Sequence, residues 1–176
     1  MKRTWIGPLL VVLALALAIG GLVPIAEAGS LKAQVFLLQS KVPNKLTEKA
    51  LIQFGHRNAM KVLRESNEKD LKERSWTAEM IVAFNAPVND MEFQILFYDI
   101  QDGPRRFVND FATMVNDKTQ KTFVQKVSMP RPNFKPNRGM ELVVTVRRAE
   151  VGRLKFNVVG EEQKRSGEVS FSGTER

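Results

Sequence analysis

The chain has 176 residues, 43% of them apolar and 26% charged, the balance of a folded globular protein and not of a chain disordered throughout. Lys and Arg outnumber Asp and Glu 27 to 19, a surplus that either draws anionic partners over long range or serves only as a solvated basic surface. Cysteine is absent, which excludes disulfides, thiolate catalysis, cysteine-ligated zinc, iron–sulfur clusters and lipid attachment through a cysteine.

Residues 1–28 read as a signal peptide. Lys2 and Arg3 give a positive start, Leu9 to Ile19 an uninterrupted apolar stretch, and Gly20, Gly21 and Pro24 break the helix before the small-x-small signature Ala26-Glu27-Ala28. Cleavage after Ala28 leaves a mature chain starting at Gly29, with 25 basic against 18 acidic residues. The expected location is periplasmic or secreted. The competing reading keeps Thr4 to Ala26 as an uncleaved anchor, since it carries no charge and is long enough to span a bilayer. No later segment approaches that length.

Residues 29–75 divide into a strand, a short helix and a charged connector. Val35-Phe36-Leu37-Leu38 is an apolar run ended by Pro43, which predicts a strand over 33–39. Thr47 is placed to cap a helix carrying Leu51 and Phe54, with Met60, Val62 and Leu63 as its expected continuation and Gly55 as an interruption. Ser66 to Arg74 holds one apolar side chain in nine residues.

From Trp76 the period changes to two. Trp76, Ala78, Met80, Val82 and Phe84 share one face, and Met91, Phe93, Ile95 and Phe97 one face of the next strand, with Asn89-Asp90 turning the chain between them. Asp102-Gly103-Pro104 turns it again into a returning strand over 106–115, and Asn116-Asp117-Lys118 leads into another over 122–129. Pro130, Pro132 and Pro136 mark an extended connection. A hairpin follows, 140–148 with 153–159, in which Ala149 to Gly152 reads as the loop and Gly152 as its left-handed residue. Pairing Val146 with Leu154, Val144 with Phe156 and Leu142 with Val158 places six apolar side chains on one face. Residues 161–176 form a polar tail with a weak strand expected around Val169 to Phe171.

Short alternating strands without helices between them predict a mainly β fold, an antiparallel β-sandwich body over 76–160 with a short N-terminal helical segment. The stretch PNFKPNRGMELVVTV followed by EVGRLKFNVVGE resembles the closing hairpin of immunoglobulin-like and fibronectin type III-like domains. That resemblance implies a fold and brings no active site with it.

His56 is the sole histidine, so a Ser-His-Asp system would rest on it alone, and no nucleophile-elbow motif accompanies it. Asp99, Asp102, Asp90 and Asp117 lie in or beside turns without a calcium-loop spacing. No cofactor or metal is expected. In the expected register, Arg147 stands opposite Arg153 and Thr145 opposite Lys155. With Tyr98 from the neighbouring strand, and Arg105 and Arg106 at a strand end, these residues make a candidate face for an anion or a partner. The alternative is internal neutralisation by Glu92 or Glu141. The expectation is an exported, non-enzymatic binding or structural module of the cell envelope, contacting an envelope protein or an anionic glycan or lipid. An extracytoplasmic hydrolase built on His56 or on carboxylates is the alternative. Nucleic acid fits the charge and conflicts with export.

Overall fold

The computed structural model describes residues 30–162. The expected signal segment and the weak strand around Val169 lie outside the described residues. Two sheets pack face to face, the first ordered β1(Ala33–Leu38), β3(Ser75–Phe84), β6(Thr122–Pro130). The second is ordered β2(Val62–Arg64), β8(Ala149–Val159), β7(Arg138–Val146), β4(Glu92–Asp99), β5(Arg106–Met114). All neighbours are antiparallel except β2 and β8. With β3 and β6 facing β4, β7 and β8, this is the arrangement of an immunoglobulin-like sandwich.

Period-two alternation builds the core as the sequence predicts, except at Met91, which precedes β4 and is exposed instead of joining Phe93. Trp76, Ala78, Met80, Val82 and Phe84 from β3 meet Phe93, Ile95 and Phe97 from β4 and Met140, Leu142, Val144 and Val146 from β7. Phe84, Phe93 and Phe123 contact one another edge to face at 5.0–5.9 Å. The first sheet also buries its other side. Phe36 and Leu38 of β1, with Val42 and Ile81, lie under Leu51 and Phe54 of α1(Glu48–Asn58), making a third layer.

The helix starts where Thr47 predicts, the Thr47 hydroxyl accepting from the Ala50 N–H at 3.3 Å. Gly55 does not interrupt it. A Cβ there would stand 2.7 Å from the Phe36 ring, so the missing side chain lets the helix close on β1. The expected continuation through Val62 and Leu63 is overturned: the helix ends at Asn58, and Val62–Arg64 is β2, parallel to β8, with Leu63 fully buried. β1 and β2 thus add strands from ahead of Trp76 to both sheets.

The closing hairpin differs from expectation in its turn. Arg147 and Arg148 both adopt positive φ, 50° and 66°, and form a two-residue turn between Val146 and its partner Ala149. Such mirror-image turns match the twist of paired strands. Leu142 therefore pairs with Leu154, and Val144 with Gly152, ahead of a bulge at Val144/Thr145. Gly152 sits within β8, where a Cβ would stand 2.5 Å from the Ala33 carbonyl oxygen. Its role is close passage of β1, not a left-handed turn.

Candidate functional site

The outer face of the five-stranded sheet gathers four of the predicted residues. Tyr98 pairs with Glu141, and Glu141 with Lys155, so all three point away from the core. Arg153 pairs with Val143 and lies on the same face. Arg105 reaches back over this face from the turn that follows β4. Its Nε donates to Glu141 Oε2 at 2.6 Å, its Nη1 lies 3.5 Å from Glu150, and its guanidinium is 5.7 Å from the Tyr98 ring centroid. Phe107 pairs with Tyr98 across β4 and β5, their rings 6.0 Å apart, and remains 55% exposed.

The expected facing pairs of cations do not form. Because the turn falls at Arg147-Arg148, Arg153 is opposite Val143 and Lys155 opposite Glu141, and Thr145 faces Glu150. Arg153 bonds Glu150 at 2.5 Å. Arg147 leaves the face for the hairpin tip, where it bonds Asp90 at 2.9 Å and the Asn89 carbonyl at 2.6 Å. Its hydrogen bond, with one from the Met91 N–H, holds the Asp90 carboxyl below its ordinary pKa. Arg106 stands at the sheet edge on Asp99 at 3.0 Å. Of the six predicted residues, Lys155 is the one cation with no ion pair among the described residues.

Glu141, expected only as an alternative neutraliser of this face, is the acid on which Arg105 sits. Its side chain is 2% exposed, and Oε1 has no hydrogen-bond partner among the described residues. The signal for it was present, since Glu141 alternates onto the polar face of β7. The identity of its partner was not, because Arg105 belongs to a turn and has no periodicity to follow.

Two further ionic clusters lie at one end of the sandwich. Asp99 accepts from Arg138 at 2.9 Å, from Arg106 and from the Gln101 N–H. Burial pushes the Asp99 carboxyl up, and these three donors outweigh it, leaving the pKa below the ordinary value. Arg138 also bonds Asp102 at 2.5 Å, so both aspartates serve an arginine. Nearby, Glu65 pairs with Arg131, whose guanidinium stacks 5.6 Å from the Trp76 ring centroid. Arg74 joins them through Glu161 at 2.8 Å. A cleft of about 660 Å³ opens here between Leu71, Lys72, Pro132, Phe134 and Lys135. His56 is elsewhere, on exposed α1, edge-on to Phe36 at 4.8 Å. No hydrogen bond or ion pair joins it to a carboxylate among the described residues.

No family model matches the chain, and no curated protein does. Among solved structures it is similar to an immunoglobulin-like protein from Pseudomonas aeruginosa. The two share 12% identity over 74% of this chain and 97% of that one, with a TM-score of 0.39. The strand order, and not this likeness, carries the fold.

Proposed function

We propose that the chain is an exported, non-enzymatic binding module of the cell envelope that contacts a protein partner through the outer face of its five-stranded sheet. One observation carries this reading: Phe107 stands half-exposed beside Tyr98 and an Arg105 already fixed by Glu141 beneath it. Aromatic and arginine side chains dominate the energetics of protein interfaces, and a pre-positioned arginine loses less freedom on docking. An anionic glycan or lipid is favoured less, because Arg105, Arg106, Arg147 and Arg153 all have carboxylate partners. The signal-like order of residues 1–28 supports export.

The test places a photo-crosslinking side chain at Phe107 and, as a control, at Asn58 on the helix, in cells exporting the full chain. A discrete protein adduct from position 107 and none from 58 is expected. No adduct at 107 in an exported chain, or the same adducts at both positions, rejects this face.

A further inference from the structure

Sandwich edges differ in how well they are closed. β1 is drawn against β8, where Gly152 admits the Ala33 carbonyl, and β2 is three residues long. β5 is distorted by the irregularity at Phe97/Tyr98 and carries Asp110, two devices that discourage strand addition. β6 has neither. It pairs with β3 over nine residues, and among the described residues no strand lies on its other side.

The phase of the ladder identifies which backbone groups face outward. Phe84 N–H donates to the Lys121 carbonyl at 2.8 Å, and Arg131 N–H to the Arg74 carbonyl at 3.3 Å, so the alternate residues turn away from β3. These are Thr122, Val124, Lys126, Ser128 and Pro130. The Thr122 carbonyl already accepts from Gln120 Nε2 at 2.7 Å, and Pro130 has no N–H to offer. A window of Val124, Lys126 and Ser128 remains, bounded at both ends, with its N–H and C=O groups presented for pairing.

The same three side chains lie on the sheet's outer side, and Val124 lines a recess of about 270 Å³ floored by Val42, Pro43, Leu46 and Leu51. Val124 is 42% exposed at its margin. Lys41 and Lys45 line the recess and Lys126 adjoins it, none with an ion pair among the described residues. Glu79, cross-strand from Lys126, is the one acid there. A solvent-facing recess with an apolar floor and surplus lysine suits an occupant with an apolar side chain between two acidic ones.

We propose that the β6 edge takes up an extended, acidic segment of a partner protein as an added strand. Main-chain pairing to Val124, Lys126 and Ser128 supplies the affinity, and alternate side chains read the recess and its lysines. This site is on the other sheet from Phe107 and stands or falls separately from that face.

The probe is a fluorescently labelled peptide, Ser-Glu-Thr-Val-Thr-Glu-Ser, titrated with the mature chain at low salt, beside the same peptide with lysine for glutamate. The glutamate peptide is expected to bind about tenfold or more tightly than the lysine peptide, and Ser128→Pro to weaken it about tenfold, as loss of one or two hydrogen bonds implies. Proline at this outward position leaves the β3 ladder intact, which the thermal transition verifies. Independently of that variant, Lys45→Glu with Lys126→Glu should reverse the peptide preference, and peptide should slow amide exchange at Val124 and Lys126. Equal binding of both peptides, or exchange slowed elsewhere, overturns the proposal. So does a self-associated chain that Ser128→Pro splits, since a second copy would then own the edge.

Discussion

Arg105→Ala removes the cation from a carboxylate that stays buried, because Glu141 is held by the central strand β7. Arg105 is itself 38% exposed, so solvent already screens its half of the pair, and the loss belongs mainly to the uncovered acid. The expected destabilisation is about 1–3 kcal/mol in urea unfolding. Adding Glu141→Gln to that variant should recover part of it, since a neutral amide is less costly to bury. No recovery would mean that Arg105 contributes through its contact with Tyr98 instead. At this scale the sequence disclosed which side chains share a face, because alternation alone sets that for Tyr98, Glu141, Arg153 and Lys155. It did not disclose which charges meet. Such pairing depends on turn residues such as Arg105, whose reach is set by three-dimensional return of the chain.

The β7–β8 hairpin illustrates how an element can be read correctly by face and wrongly by register. Leu142 was expected against Val158 and is found against Leu154, a slip of four residues. An even slip keeps every side chain on its own face, so the hydrophobic pattern cannot distinguish the two alignments. The turn normally breaks the tie, and here Arg147-Arg148 occupy positions where Asn-Gly is the usual signal. Arg148→Gly is therefore expected to raise unfolding free energy by about 0.5–1 kcal/mol, by relieving a left-handed backbone that arginine adopts unwillingly. Gly152→Ala should do the opposite. Its Cβ would meet the Ala33 backbone, which has no flexible end to move, and a loss of about 1–3 kcal/mol follows for overpacking of this kind. If the loop were instead at Ala149 to Gly152, Gly152→Ala would still destabilise but Arg148→Gly would not stabilise; denaturant midpoints of the two variants separate these cases. β2 escaped prediction for a simpler reason: three residues carry no period, and their strand character comes entirely from β8.

For the whole molecule, the segment ahead of Trp76 is structural. β1 places Val35 and Leu37 in the main core and Phe36 and Leu38 beneath α1, while Leu63 is fully buried from β2. A fragment of residues 76–160 is expected to lack a cooperative urea transition, and one of residues 29–162 to show it, as followed by far-ultraviolet circular dichroism. Cooperative unfolding of the shorter fragment would mean that the first two strands and α1 are ornaments on a self-sufficient sandwich. The sandwich was legible in the spacing of turns and alternating strands. So were β1 and the capped start of α1. β2 and the packing of α1 as a third layer were not, since a three-residue strand and the resting place of a short helix are set by tertiary packing and leave little trace in local sequence.

Trp76 gives the end of the sandwich a voice of its own. Its indole is wholly buried, donates from Nε1 to the Val159 carbonyl at 2.8 Å and lies beneath the Arg131 guanidinium. The sequence holds one other tryptophan, Trp5, within the segment expected to be removed on export. Beside the one tyrosine, Tyr98, cleavage as proposed would leave Trp76 as the single tryptophan, seated where β3, β8 and the connection after β6 converge. Its emission reports without any label on whether that junction is closed, and loss of the Trp5 contribution marks the leader's departure in the same spectrum.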